Sequence, residues 1–269
     1  MTALGVVLVF VAAALPGLGW AQNSSLFGLN DRDDLFGWEA VGRIDAREQG
    51  FCTGTLIAPD LVLTAAHCVF DATTGKRISA QDLVFRAGLR NGQPVAERGV
   101  QQIATSSAYQ PTEEMTLQNL EHDVALLQLA QPIVSAEADP FVLFSGNPDG
   151  RQVSVVSYGQ DRSEVLSWQR VCSILVRQPP MMVFDCDVTF GSSGAPVFVR
   201  EGTRGRILSI ISGGAEWDGK AVALGMTLPA IVDDLKRTLR LERQRPTASI
   251  RRLTVGGPRD KTGAKFVRP

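Results

Sequence analysis

Histidine and tyrosine are scarce in this chain of 269 residues, with two of each. Any imidazole chemistry must therefore run through His67 or His122. Cysteine is limited to four residues, none of them spaced as Cys-x-x-Cys, which argues against a metal centre. No metal and no cofactor is expected. A surplus of one charge is also missing. The 27 basic and 28 acidic side chains leave a net charge of −1, which excludes a global nucleic-acid signature. With 44% hydrophobic and 20% charged residues, the composition is neither disordered, collagen-like nor coiled-coil. No internal repeat is visible. What remains is a length that suits one large or two small domains with a real core.

The first thirty residues carry no charged side chain. Within them Ala3–Leu15 is an apolar run of thirteen, shorter than the roughly 20 residues a membrane helix needs. Pro16 and Gly19-Trp20-Ala21 follow, a small-x-small cleavage pattern, so residues 1–21 read as a secretory signal peptide. A retained anchor is the competing reading and is disfavoured by the short run. The expected location is secreted or periplasmic, with no stable membrane anchor after cleavage, a setting in which disulfides persist. At the other end, residues 245–269 carry seven Lys/Arg against Asp260, leaving −7 on the rest. This reads as a basic disordered tail rather than an element for a specific nucleic acid.

Between these ends the chain is a series of short strands broken by Gly, Pro, Asn and Asp. Phe51–Ile57 and Leu61–Thr64 flank the turn Ala58-Pro59-Asp60. Folding about residue 60 brings Cys52 opposite Cys68. Gln169–Arg177 and Met182–Val188 flank Pro179-Pro180, and Cys172 and Cys186 lie symmetrically about residue 179. Antiparallel neighbours sit about 4.5–5.5 Å apart, within disulfide reach. Of the possible connectivities this favours Cys52–Cys68 with Cys172–Cys186. Further strands are expected at Leu83–Ala87, Val100–Ala104, Val124–Leu129, Gln152–Tyr158, Ala195–Val199, Ile207–Ile211 and Ala221–Thr227. One helix is convincing, Pro229–Gln244, with Ile231, Leu235 and Leu239 as its apolar stripe and Asp233–Arg237 as an exposed pair. Many strands and one late helix make an all-β fold, barrel or sandwich.

Three segments carry chemistry. In Leu63-Thr64-Ala65-Ala66-His67-Cys68 a histidine adjoins a disulfide cysteine, which fixes its backbone and suits a general base. In His122-Asp123-Val124-Ala125-Leu126-Leu127 a carboxylate stands at the mouth of an apolar strand, where burial demands a partner such as an imidazole N–H. Phe190-Gly191-Ser192-Ser193-Gly194-Ala195-Pro196 is a glycine-rich bend that can turn backbone N–H groups toward an oxyanion and present a serine hydroxyl. Each string alone is weak. Together they supply base, orienting acid and nucleophile in the chain order His, Asp, Ser.

In these strings the chain resembles the chymotrypsin/trypsin-like serine endopeptidases, over about Trp38 to Arg240. Cys186-Asp187 and Gly-Ser-Ser-Gly-Ala-Pro look closer to the bacterial glutamyl-endopeptidase-like branch. The resemblance implies two six-stranded antiparallel β-barrels, residues 38–134 and 135–228, with the active site in the cleft between them. His67 and Asp123 would come from the first barrel and Ser193 from the second, followed by the C-terminal helix 229–244. By position His67 is the base, Asp123 orients it, Ser193 is the nucleophile, and the N–H groups of Gly191 and Ser193 form the oxyanion hole. Ser212, Gly213 and Gly214 would pair with the substrate backbone, and Ser212 would bond Asp123. His122 is read as a strand-edge neighbour. The implied partner is a polypeptide substrate, and the implied state a monomer.

Two departures from the family stand out. Ser192 replaces the Asp that pairs with a new N-terminus in digestive proteases, and no Ile-Val-Gly-Gly-like site precedes the domain. Residues 22–37 are therefore an N-terminal segment or a short propeptide. Asp187 falls where trypsin places a carboxylate at the floor of its primary pocket, yet Ile211 stands where acid-preferring relatives have histidine. Residue preference stays open. The competing functional class is a protease-fold binding protein with vestigial hydrolysis.

Overall fold

The computed structural model describes residues 24–244 apart from 48, 114, 202 and 203. The expected signal peptide 1–21 and basic tail 245–269 lie outside the described residues. The strands are β1 (Leu26–Gly28), β2 (Val41–Ala46), β3 (Gly50–Ala58), β4 (Leu61–Thr64), β5 (Leu83–Ala87), β6 (Ala96–Thr105) and β7 (Ala125–Leu129). They continue with β8 (Gln152–Gly159), β9 (Arg162–Gln178), β10 (Met181–Phe184), β11 (Pro196–Glu201), β12 (Arg204–Trp217) and β13 (Lys220–Met226). The helices are α1 (Arg32–Leu35), α2 (Leu117–His122) and α3 (Pro229–Gln244).

The first six-stranded barrel closes in the order β2-β3-β4-β7-β6-β5. β5 alternates as a half-buried strand should: Leu83, Phe85 and Ala87 are buried, while Val84 and Arg86 between them are not. The second barrel is the ring β8-β9-β10-β13-β12-β11, closed by the β8–β9 pairing. Its interior holds Val153, Val155, Met182, Phe184, Val197 and Ile211. A disulfide ties each hairpin: Cys52–Cys68 with Cα atoms 6.1 Å apart, and Cys172–Cys186 at 5.3 Å. Between the barrels Trp38 packs on Phe141, Trp168 and Phe198 at ring distances of 5.9, 5.0 and 5.3 Å. Such aromatic contacts lock the two bodies against each other.

Several expectations change. The second sheet has a seventh strand, β1, drawn from residues 22–37, the segment read as an N-terminal segment or short propeptide. β9 is so long that β10 covers only its far end, and β1 pairs with Ser167–Gln169 on the edge left free. Leu29 and Leu35, just beyond β1, are buried. In α3 the buried stripe is Val232, Leu235 and Leu239, so Val232 rather than Ile231 points into the core. Arg237 pairs with Asp234 and not Asp233. α3 packs on β6 and β7 of the first barrel, where Arg243 donates to Gln128. β10 stops at Phe184, because Asp185 turns to cap the Ser173 N–H. His122 ends α2 rather than edging a strand, with its Nδ1 3.2 Å from Ser106 Oγ.

Candidate active site

Register brings His67 and Asp123 together. β4 and β7 are neighbours, and Thr64 lies directly opposite Ala125. His67 follows Thr64 on the 3-10 turn Ala66–Val69, and Asp123 precedes Ala125 at the C-terminus of α2. Both therefore leave the same end of one strand pair. Thr116 caps α2 by accepting the Asn119 N–H, and the Asn119 amide grips both backbone groups of Gln110 at 2.9 Å. These bonds fix the helix end that carries Asp123.

The Asp123 carboxylate is buried and receives three hydrogen-bonding partners. His67 Nδ1 lies 2.8 Å from Oδ2, the His67 backbone N–H donates to Oδ1 at 2.8 Å, and Ser212 Oγ donates to Oδ2 at 2.5 Å. Burial pushes the Asp123 pKa up, but His67 and these donors outweigh it and hold the carboxyl below its usual range. Burial likewise pulls His67 down, and the Asp123 charge and hydrogen bond more than offset it, leaving the imidazole above its ordinary 6.5. Nδ1 is committed to Asp123, so Nε2 is the nitrogen free to face a reacting group.

The loop between β10 and β11 carries Ser192 and Ser193, and these neighbours differ sharply. Ser192 is buried; its hydroxyl donates to the Tyr158 carbonyl at 3.0 Å and accepts from Arg162 Nη2 and the Thr189 N–H at 3.3 Å each. Arg162 also donates to the Ser157 carbonyl at 2.5 Å. This knot, which holds the Arg162 guanidinium and no carboxylate, occupies the position where digestive proteases carry their activation aspartate. Ser193 instead lines a cleft of about 1000 Å³ together with His67, Gly191, Ser212, Gly213 and Gly214.

Cross-barrel bonds orient the bend. Thr53 of β3 donates its N–H to the Ser193 carbonyl at 2.9 Å and its hydroxyl to the Gly191 carbonyl at 2.8 Å. The Ser192 N–H bonds the Thr189 carbonyl, and the Ala195 N–H bonds the Ser192 carbonyl, each at 2.9 Å. In a planar trans peptide the N–H points opposite to the carbonyl. Pinning the Ser192 carbonyl thus turns the Ser193 N–H away from the loop. Among the described residues neither it nor the Gly191 N–H takes a protein acceptor. Gly191 (φ 92°) and Gly194 (φ 77°) are required here. A Cβ on Gly191 would meet the Phe51 ring at 2.3 Å, and one on Gly194 would meet Thr64 Oγ1 at 2.2 Å.

Asp187 does not line the cleft. It is exposed, and buried Gln169 accepts its N–H at 2.7 Å and reaches its carboxylate at 3.5 Å, drawing it toward β9. Val188, Thr189 and Phe190 form that wall instead. The two groupings of possible metal ligands among the described residues, around Cys52–His67–Cys68 and Cys172–Asp185–Cys186, have their sulfurs committed to disulfides. Thr53, Asn119, Arg162 and Gln169 escape sequence reasoning.

Residues 52–204 match the trypsin-like peptidase domain. Glutamyl endopeptidase of Bacillus licheniformis is 26% identical over 186 residues, covering 67% of this chain and 56% of the relative. Trypsin of Phaedon cochleariae is 27% identical over 163 residues, covering 58% of each. The chain thus spans a little over half the length of either relative. A solved Glu endopeptidase superimposes with a TM-score of 0.67 at 15% identity, over 82% of this chain and 98% of its own. A thermostable serine protease, AL20, from an extremophilic microorganism gives 0.60 at 21% identity, over 75% and 97%. These two likenesses establish the fold. With the domain match running from the first hairpin past the serine bend, the chain belongs to the trypsin-like peptidase family, near its bacterial glutamyl-endopeptidase branch.

Proposed function

We propose that this protein is a secreted or periplasmic serine endopeptidase that cleaves polypeptides through an acyl-enzyme. The observation that carries this reading is the buried Asp123 carboxylate, which engages both the ring and backbone of His67 while Ser193 lines the same cleft. Ser193 Oγ attacks the scissile carbonyl, and His67 Nε2 takes its proton. The imidazolium so formed is stabilised by Asp123. The Gly191 and Ser193 N–H groups receive the oxyanion. Collapse expels the amine, which takes the proton from His67, and water repeats the sequence to release the acid and restore Ser193. Because the Ser192 position carries no carboxylate, an inserted N-terminal ammonium would be buried unpaired. Residues 22–37 then stay with the mature body, and β1 supplies part of the second sheet.

The test is labelling with a fluorophosphonate probe and mapping of the modified serine. Label on Ser193, lost in Ser193→Ala and kept in Ser192→Ala, supports the reading. A protein that takes no label while folded is the vestigial binding protein.

A further inference from the structure

One edge of β12 stays open toward its C-terminal end. β11 covers that edge as far as Ile210, and the backbone of Gly194 and Ala195 then bonds Ile211 at 2.7 and 2.9 Å. From Gly213 to Trp217 the strand pairs with β13 on its other side, and among the described residues no backbone partner lies on the open edge. Gly214, Ala215, Glu216 and Trp217 are all exposed. Sheet proteins ordinarily block such a row of unpaired N–H and C=O groups, because it invites another strand.

The hairpin turn decides which groups face outward. β12 and β13 join through Asp218-Gly219, with φ of 52° and 69°, the two-residue turn with both centres left-handed. In that turn the flanking pair, Trp217 and Lys220, exchange hydrogen bonds, and antiparallel pairs then alternate back along the strand. Ala215 and Val222 bond each other. Glu216 opposite Ala221, and Gly214 opposite Ala223, instead turn their N–H and C=O to the open edge. The two outward sets lie one strand repeat apart, about 6.8 Å.

Pairing through Gly214 is what the family resemblance already implies; we propose that it continues two residues further along β12, with Glu216 as the backbone anchor for the fifth residue before the scissile bond. The inference rests on the protease reading above. Gly194, next to the nucleophile Ser193, bonds the Ile211 carbonyl, and Ser193 and Ser212 line one cleft. The open edge thus begins beside Ser193, and the residue opposite Ser212 is assigned as the first before the cleaved bond. Counting along an antiparallel partner, the third lies opposite Gly214 and the fifth opposite Glu216. The preferred substrate is then an unfolded segment, extended for at least five residues on that side, held by main-chain bonds that demand no particular side chain.

The experiment starts from a bond that the enzyme cleaves in a denatured protein. Capped peptides built on it carry either three or five residues before that bond. Two further hydrogen bonds should raise kcat/KM for the longer peptide about tenfold. N-methylation of the fifth residue should remove most of the gain, whereas N-methylation of the fourth, whose N–H faces away, should keep it. Glu216→Pro, which has no N–H to offer, should bring the five-to-three ratio near one. A wild-type ratio near one, or equal losses from the two N-methyl peptides, overturns the inference while leaving the protease reading intact. No cleavage of denatured protein and no label on Ser193 would remove that reading, and this inference with it.

Discussion

The two barrels hold their parts of the site by different means. In the first, register does the holding: Thr64 faces Ala125, and His67 and Asp123 emerge together from that pair. In the second, Ser193 stands on a loop well past the end of β10. It is placed by two Thr53 bonds from the first barrel and by glycines packed against Thr64 and Phe51. A base and its orienting acid can thus be set largely within one barrel, by register together with the α2 cap and the Cys52–Cys68 disulfide. A nucleophile that must meet them across a cleft needs ties to the opposite body, and damage to either barrel should read differently in the kinetics.

The largest break comes at the register-held pair. Asp123→Asn should lower kcat by about 10⁴-fold, because the imidazole loses its orienting acceptor. The pH profile sharpens the test. Catalysis needs neutral His67, so wild-type kcat/KM falls as pH drops through a midpoint above 6.5, the direction Asp123 imposes. With Asp123 neutralised, burial acts on the imidazole unopposed, and the variant's midpoint should move below that of the wild type. An unchanged midpoint would separate the titrating group from His67.

Next is the tie across the cleft. Thr53→Val removes a buried hydroxyl that donates to the Gly191 carbonyl and accepts the Tyr158 N–H at 3.1 Å. Leaving both unsatisfied should cost about 1–3 kcal/mol of stability. The probe reaction at Ser193 should slow by roughly ten- to a hundredfold through the displaced oxyanion bend, since an oxyanion donor is worth about 10²–10³ at most. If stability drops and labelling does not, the bend is held by its own turn and not by the first barrel.

The same contrast explains what the sequence made legible. The strings around His67, Asp123 and Ser193 are local, each readable from a few adjacent residues; His67 and Ser193 line one cleft, with Asp123 buried against the His67 ring. The bounds of α3 follow from Pro229 and its periodicity, and the cysteine pairing from the symmetry of the two hairpins. β1 was not legible, because Leu-Phe-Gly carries no strand signal and forms only against the uncovered edge of β9. Neither was α2, whose six residues depend on Thr116 and Asn119 gripping a distant turn. Asp187 is placed by the trypsin resemblance through its distance from Ser193, which cannot register that Gln169, remote in sequence, takes hold of its backbone. Thr53 and Arg162 act only through tertiary contacts.

The smallest effects should come from the disulfides, and they compare the barrels most directly. Cys52–Cys68 and Cys172–Cys186 close loops of similar length, with separations of 16 and 14. Chain-entropy reasoning therefore predicts about 3 kcal/mol of stability from each. Paired Cys→Ser changes should lower the denaturation midpoint alike in either hairpin. The kinetic consequences should part. Cys68 adjoins His67 on its 3-10 turn, so opening Cys52–Cys68 lets the base drift and should lower kcat several-fold. Cys186 leads into Asp187, Val188 and Thr189, two of which wall the cleft, while Ser193 keeps its Thr53 bonds. Opening Cys172–Cys186 should therefore raise KM several-fold with kcat nearly retained. Steady-state kinetics on both double variants decides it. A fall in kcat in both would mean that the second hairpin, and not the tie from the first barrel, sets the nucleophile.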